Sequence, residues 1–157
     1  TFSLIVQVSG RAGRYAPDGE VISQTFRPDN PAIRLASTGR IEPFYDRELD
    51  ARRQLGFPPF SRLIRLVFRG KNRKDVVETA ETIAGAFGAG GKRRDGVQLL
   101  GPAECPLAVV TSNHRFQLIV RSPSLGNARK AVSLALSRSK IPSNVYIEID
   151  VDPINLL

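Results

Sequence analysis

Between Arg62 and Val151 the apolar residues change period four times, and the order of those changes leaves few folds open. "RLIRLVFR" (Arg62–Arg69) alternates as a strand. "KDVVETAETIAGAF" (Lys74–Phe87) puts Val76, Val77, Ala80, Ile83, Ala84 and Phe87 on one helical face. "VQLLGPA" (Val97–Ala103) reads as a strand, with "PLAVV" (Pro106–Val110) extending it as a hairpin arm. "HRFQLIVR" (His114–Arg121) is the next strand. Pro123–Ser139 forms a helix capped by Ser124, with Leu125, Ala128, Val132, Ala135 and Leu136 inward, and Val145–Val151 is the last strand. The order is β-α-β-β-α-β. Right-handed crossovers then give an α+β fold: a four-stranded antiparallel ferredoxin-like sandwich with both helices on one face.

Strand alternation assigns the two sheet faces. Ile64, Leu66, Phe68, Phe116, Leu118, Val120, Val145, Ile147 and Ile149 should face the helices. The open face should show Leu63, Arg65, Val67, Arg115, Gln117, Ile119 and Arg121. RNA-binding modules of this topology stack bases on aromatic side chains of the central strands. Tyr146, on the last strand, is the only ring available here, so a free-standing RNA-binding module is the weakest reading. A basic face without rings suits phosphates, another domain or carboxylates of a partner.

The first 56 residues are patterned differently. Residues 1–9 are apolar, with Ser9-Gly10 as a helix stop. "GEVISQTF" (Gly19–Phe26) reads as a strand after an "APDG" turn. Asp29 or Asn30 can cap a short helix that has Pro31 at its first position and Gly39 past its end. "EPFYDRELDARRQLG" reads as a helix stopping at Gly56. "FPPF" (Phe57–Phe60) should be stiff and extended, because proline fixes its own φ and restricts the residue before it. A domain boundary is placed there.

Charge separates the same two parts. Residues 1–56 carry eight Lys/Arg against seven Asp/Glu, and residues 57–157 carry fifteen against eight. The basic excess lies in the second part and points to a polyanionic partner. Cys105 is the only cysteine and His114 the only histidine, so the chain holds neither a disulfide nor a complete zinc site. They read as a small buried thiol and a surface imidazole, in a reducing cytoplasmic setting. No apolar run approaches the roughly 20 residues of a membrane helix, and no signal peptide is evident. The chain begins at Thr1 and contains no Met, which suggests a piece of a longer protein.

Residues 7–14, "QVSGRAGR", match the sixth motif of superfamily 2 helicases, Q-x-x-G-R-x-G-R. "RELDARRQLGFPPFSRLIRL", "LLGPAECPLA", "HRFQLIVRSPS" and the terminal "DVDPINLL" follow in an order and spacing that resemble the PriA family of replication-restart helicases (primosomal protein N′). The resemblance covers essentially the whole chain. It implies that residues 1–40 end a second helicase lobe, residues 41–56 form a connecting helix and residues 57–157 form a PriA-type C-terminal domain.

The same resemblance implies a parent that unwinds branched DNA 3′→5′ with ATP. That parent recognises stalled or abandoned forks, binds single-stranded DNA-binding protein, and restarts replication through primosome assembly. Arg11 and Arg14 would reach the ATP γ-phosphate, with Arg14 favoured as the finger, and Gln7, Gly10 and Gly13 would support the nucleotide site. ATP and Mg belong to the parent, and zinc to other parts of it. This chain lacks a Walker A loop, an Asp-Glu-x-His box and cysteine clusters, so by itself it is expected to be a non-enzymatic monomer without cofactor or metal. Lys92, Arg93 and Arg94, in a glycine-rich loop, are the first DNA-binding candidates, with Arg115 and Arg121 next. Arg129 and Lys130 are candidates for the acidic tail of single-stranded DNA-binding protein. The alternative is a protein-protein adaptor domain of a PriA-like protein whose helicase motifs are degenerate.

Overall fold

The computed structural model describes residues 1–12, 19–87, 96–154 and 156. The chain divides into two compact units, Thr1–Leu55 and Gly56–Leu157.

The first unit is helical. Helix α1 (Phe2–Ala12) runs through Ser9-Gly10 rather than stopping there. Gly10 keeps a helical backbone, whereas a terminating glycine takes positive φ, as Gly39 does at +65°. Helix α2 (Pro31–Ser37) is capped by Asn30, whose Oδ1 accepts from the Ala32 amide at 2.9 Å. Helix α3 (Ile41–Leu55) ends at Gly56, with φ +63°. Phe2 is buried and its ring stacks on Phe44 at 3.7 Å. The strand expected over Gly19–Phe26 does not form. A strand needs a neighbour for its backbone groups, and the described residues of this unit contain no other strand. Ile22 and Phe26 stand fully in solvent.

The second unit contains the expected sandwich. Strands β1 (Arg62–Gly70), β2 (Gln98–Val110), β3 (Asn113–Ser122) and β4 (Tyr146–Val151) form one antiparallel sheet in the order β2-β3-β1-β4. Helices α4 (Arg73–Ala86) and α5 (Leu125–Arg138) cover one face. Their N-caps are Asn72 and Ser124. Ile64, Leu66 and Phe68 of β1 meet Phe116, Leu118 and Val120 of β3 in the core. Val76, Ala80 and Ile83 pack on them from α4, and Ala128, Val132 and Ala135 from α5.

Three local expectations need correction. "FPPF" is a turn rather than an extended arm: the Phe60 amide donates to the Phe57 carbonyl at 3.0 Å. Prolines suit the centre of such a turn because their φ is already set. Ile149 lies opposite Leu66 but is half-exposed. Edge strand β4 extends past the two helices, which pack on β1 and β3. Leu63, Arg65 and Val67, assigned to the open face, are buried. β1 lies between β3 and β4, and polar side chains of both neighbours reach over it. Gln117 Oε1 accepts from Arg65 Nε at 2.7 Å, and Glu148 pairs with Arg69.

Two close approaches fix the ends of β1. A Cβ on Gly70 would sit 2.7 Å from the Asn144 carbonyl oxygen, so only glycine fits beside the segment entering β4. At the other end, Arg62 and Leu63 bind Asp152 just past β4.

Candidate nucleic-acid interface

The sheet face away from the helices carries Arg65 and Arg69 of β1, Arg115 and Arg121 of β3, and Glu148 and Asp150 of β4. Register pairs Arg69 directly with Arg115 on one side and with Tyr146 on the other. Two arginines in direct opposition repel unless an anion is near. Arg69 is compensated: Glu148 binds it, and its guanidinium lies 4.8 Å from the centre of the Tyr146 ring. Arg115 is different. Among the described residues its guanidinium has no hydrogen-bonding or ion-pair partner, and the residue is half-buried. Arg69, Arg115 and Glu148, with Val110, Thr111 and Asn113, line a depression of about 430 Å³ at this end of the sheet.

The rim of that depression is the β2–β3 hairpin. Thr111 and Ser112 both take positive φ, 48° and 60°. Two-residue hairpin turns favour this geometry, but with Asn or Gly. A β-branched residue there is strained. Strain of this kind tends to gather at functional positions.

The other described candidates of this unit lie elsewhere. Arg121 is on the same face at the opposite end of β3. Its guanidinium donates to the Gly56 carbonyl at 3.3 Å and to Gln98 Oε1, and it lies 5.7 Å from the Phe57 ring centre. Arg121 therefore ties β3 to the turn that precedes β1. Lys92, Arg93 and Arg94 lie outside the described residues. The strand after them begins at Gln98, opposite Arg121. Six strand residues, about 20 Å, separate that end of β3 from Arg115. Arg129 and Lys130 are exposed on α5, in the layer across the sheet from Arg115.

In the helical unit, α1 carries Gln7 and Arg11 one turn apart, on the same side and exposed. Gly10 lies between them with open space where a Cβ would be. Gly13 and Arg14 lie outside the described residues. Cys105 is buried, His114 is half-buried, and no cluster of metal-ligating side chains occurs among the described residues. Among those residues, no helix is long and apolar enough to cross a membrane.

The fold thus carries an arginine-lined open face and, in a separate helical unit, a glycine-arginine helix end. Residues 53–154 match the model of the primosomal protein N C-terminal domain. The chain belongs to that family. It is 42% identical over its full length to replication restart protein PriA of Treponema pallidum. Identity is 36% over 99% of the chain with the PriA of Borreliella burgdorferi, and 38% over 99% with that of a Synechocystis strain. The chain spans only 24%, 23% and 18% of those relatives. Within this PriA-family chain the family match begins in α3 and takes in the whole sandwich, while α1 and α2 precede it.

For this PriA C-terminal domain, sequence reasoning named Arg115 as a candidate but not its setting. Arg69, Tyr146 and Glu148 are 46, 31 and 33 positions away in the chain and meet Arg115's end of the sheet only through strand register. Alternation alone could have placed Arg69 on Arg115's face. It could not have shown which arginine Glu148 neutralises.

Proposed function

We propose that this chain is the nucleic-acid-contacting C-terminal part of a replication restart protein, holding DNA by its phosphates through the open sheet face and the basic loop. Arg115 carries the reading: a half-buried guanidinium with no partner among the described residues, opposite a neutralised arginine, at an open depression. Four other cations of the unit are already matched: Arg62 to Asp152, Arg69 to Glu148, Arg73 to Glu104 and Lys74 to Glu78. Arg115 is not among these matched cations, and the sequence adds Lys92-Arg93-Arg94 and the exposed Arg129 and Lys130 to the basic excess of this part. A planar guanidinium matches a phosphate with two parallel hydrogen bonds. Phosphate contact positions the protein on DNA without reading sequence, which suits an activity that acts on fork structure.

In the longer protein this part would serve an ATP-dependent 3′→5′ helicase acting in the cytoplasm. Gln7 and Arg11, on one side of α1, together with Gly10, Gly13 and Arg14, would face the γ-phosphate of ATP-Mg held by another lobe. Zinc would be bound outside this chain. A second reading has one observation behind it. Arg129 and Lys130 are exposed on the helical layer, away from the sheet face. That placement leaves them for the acidic tail of single-stranded DNA-binding protein and for other primosome proteins, so one domain would serve two partners on two faces.

The test is equilibrium binding of the chain to forked, single-stranded and duplex DNA, with Arg115→Ala beside the wild type. Weaker binding to all three, with a salt slope smaller by about 0.7–0.9, is expected from one lost phosphate contact. Unchanged affinity would remove Arg115 from the interface.

A further inference from the structure

A second arginine cluster lies in the helical unit, among residues that neither the helicase-like motif nor the sheet face includes. Arg34 of α2, Arg40 of the α2–α3 connection and Arg47 of α3 line one depression of about 310 Å³, with Pro31, Leu35 and Thr38. No carboxylate is among the lining residues. Among the described residues none of the three arginines has an ion-pair partner. Two of the acids on α3 are engaged elsewhere, Glu48 with Arg52 at 2.8 Å and Asp50 with Arg53 at 2.9 Å.

Local structure sets the convergence. Asn30 caps α2 and Pro31 starts it, which fixes where Arg34 leaves the helix. Thr38 Oγ1 returns to the Arg34 carbonyl at 3.0 Å, and the Arg40 amide donates to the Leu35 carbonyl at 2.9 Å. Gly39, at φ +65°, lets the chain turn so tightly. The result is a short, well-bonded corner holding Arg34 and Arg40, with Arg47 supplied by the next helix.

We infer that Arg34, Arg40 and Arg47 form a phosphate-binding site for a nucleic-acid strand, separate from the sheet face. Three guanidinium groups around one depression repel one another, and a phosphodiester relieves that repulsion while accepting several of their N–H groups. Pro31 and Leu35 offer apolar surface against which a sugar can rest. The lining is guanidinium rather than ammonium throughout, which favours the planar, forked match to phosphate over a simple point charge.

The inference shares with the proposed function only the premise that the chain binds nucleic acid. The experiment uses the full chain and three probes: a labelled single-stranded oligo-dT, ADP, and a poly-glutamate peptide. The variants are Arg34→Ala/Arg40→Ala/Arg47→Ala together and Arg47→Glu alone, each checked by far-UV circular dichroism and thermal melting. Oligo-dT binding at low salt should weaken at least tenfold in the triple variant, with the salt slope smaller by about 2, at roughly 0.7 per contact. Arg47→Glu should weaken it in the same direction, and decides the matter if the triple variant does not fold. Unchanged oligo-dT binding overturns the site, as does a loss confined to ADP or to poly-glutamate. If the pocket variants bind normally while Arg115→Ala does not, this site falls and the sheet-face reading stands. The reverse pattern leaves this site and removes the other.

Discussion

Asp152, just past β4, closes on Arg62, the first residue of β1. The Arg62 guanidinium reaches both carboxylate oxygens, with Nε at 3.0 and 2.9 Å. The Leu63 amide donates to Oδ1 at 3.2 Å, and the Asp152 amide donates to the Leu63 carbonyl at 2.8 Å. Asp152 holds φ +52°, a conformation that Asp and Asn tolerate better than most residues. Ninety residues of chain are thereby closed between the domain's first strand and its end.

This pairing has a pH signature. The hydrogen bond from Arg62 holds the Asp152 carboxyl below the usual carboxylate range. A carboxylate depressed in the folded state adds stability above its unfolded value, about 3.9, and loses it as pH falls through the folded value. Asp152→Asn keeps the backbone conformation and removes the charge. It should melt a few degrees below wild type at pH 7, the scale of one exposed pair, and level with it once the medium is acid enough to protonate Asp152. An equal gap at pH 7 and pH 2 would deny the charge any role.

Gly70 and Gly85 should respond oppositely to alanine. At Gly70 a Cβ meets the Asn144 carbonyl at 2.7 Å and Val76 Cγ2 at 3.1 Å, and two backbone segments must part. The expected loss is about 1–3 kcal/mol by chemical denaturation. Gly85 lies in α4 with nothing within 4 Å of a Cβ, so alanine there should be neutral or stabilising by up to about 1 kcal/mol. Equal effects at the two sites would mean that the β1–β4 approach is looser than described.

The hairpin at Thr111-Ser112 should relax when given the residues its geometry favours. Thr111→Asn with Ser112→Gly should raise thermal stability, since both positions hold positive φ. A lower melting temperature would show that these side chains make contacts outweighing the backbone strain.

Arg11 and Arg14 concern the longer protein. If the motif reading is right, replacing the arginine finger by Ala in a full-length relative should lower ATP turnover by roughly 10³-fold or more. Arg14 is the first choice. Turnover near wild type with both arginines replaced would separate this helix end from the chemistry.

The sandwich was legible because its strands and helices differ in period and Ser124 stands where the α5 cap is found; the Asn72 cap of α4 came from the structure. What was not legible depended on partners far along the chain. Gly19–Phe26 has the residue types of a strand and, among the described residues of its unit, no strand to pair with. Leu63 and Val67 look solvent-facing by alternation, yet an inner strand with long polar neighbours is covered. Arg121, a DNA-binding candidate by residue type and face, is bonded to Gly56 and Gln98, which its own strand pattern does not show. Arg34, Arg40 and Arg47 have no sequence periodicity in common. Only the corner at Thr38–Arg40 brings them together.

The central claim is that the second unit holds DNA by phosphate contact at Arg115 and the loop Lys92-Arg93-Arg94. The most direct measurement is the slope of log binding constant against log salt on duplex DNA, for wild type and for a variant with all four residues changed to Ala. Each duplex contact adds about −0.9. The variant should bind every sequence more weakly, with a slope shallower by about 3–4 units. A variant that keeps the wild-type slope and affinity would contradict the account.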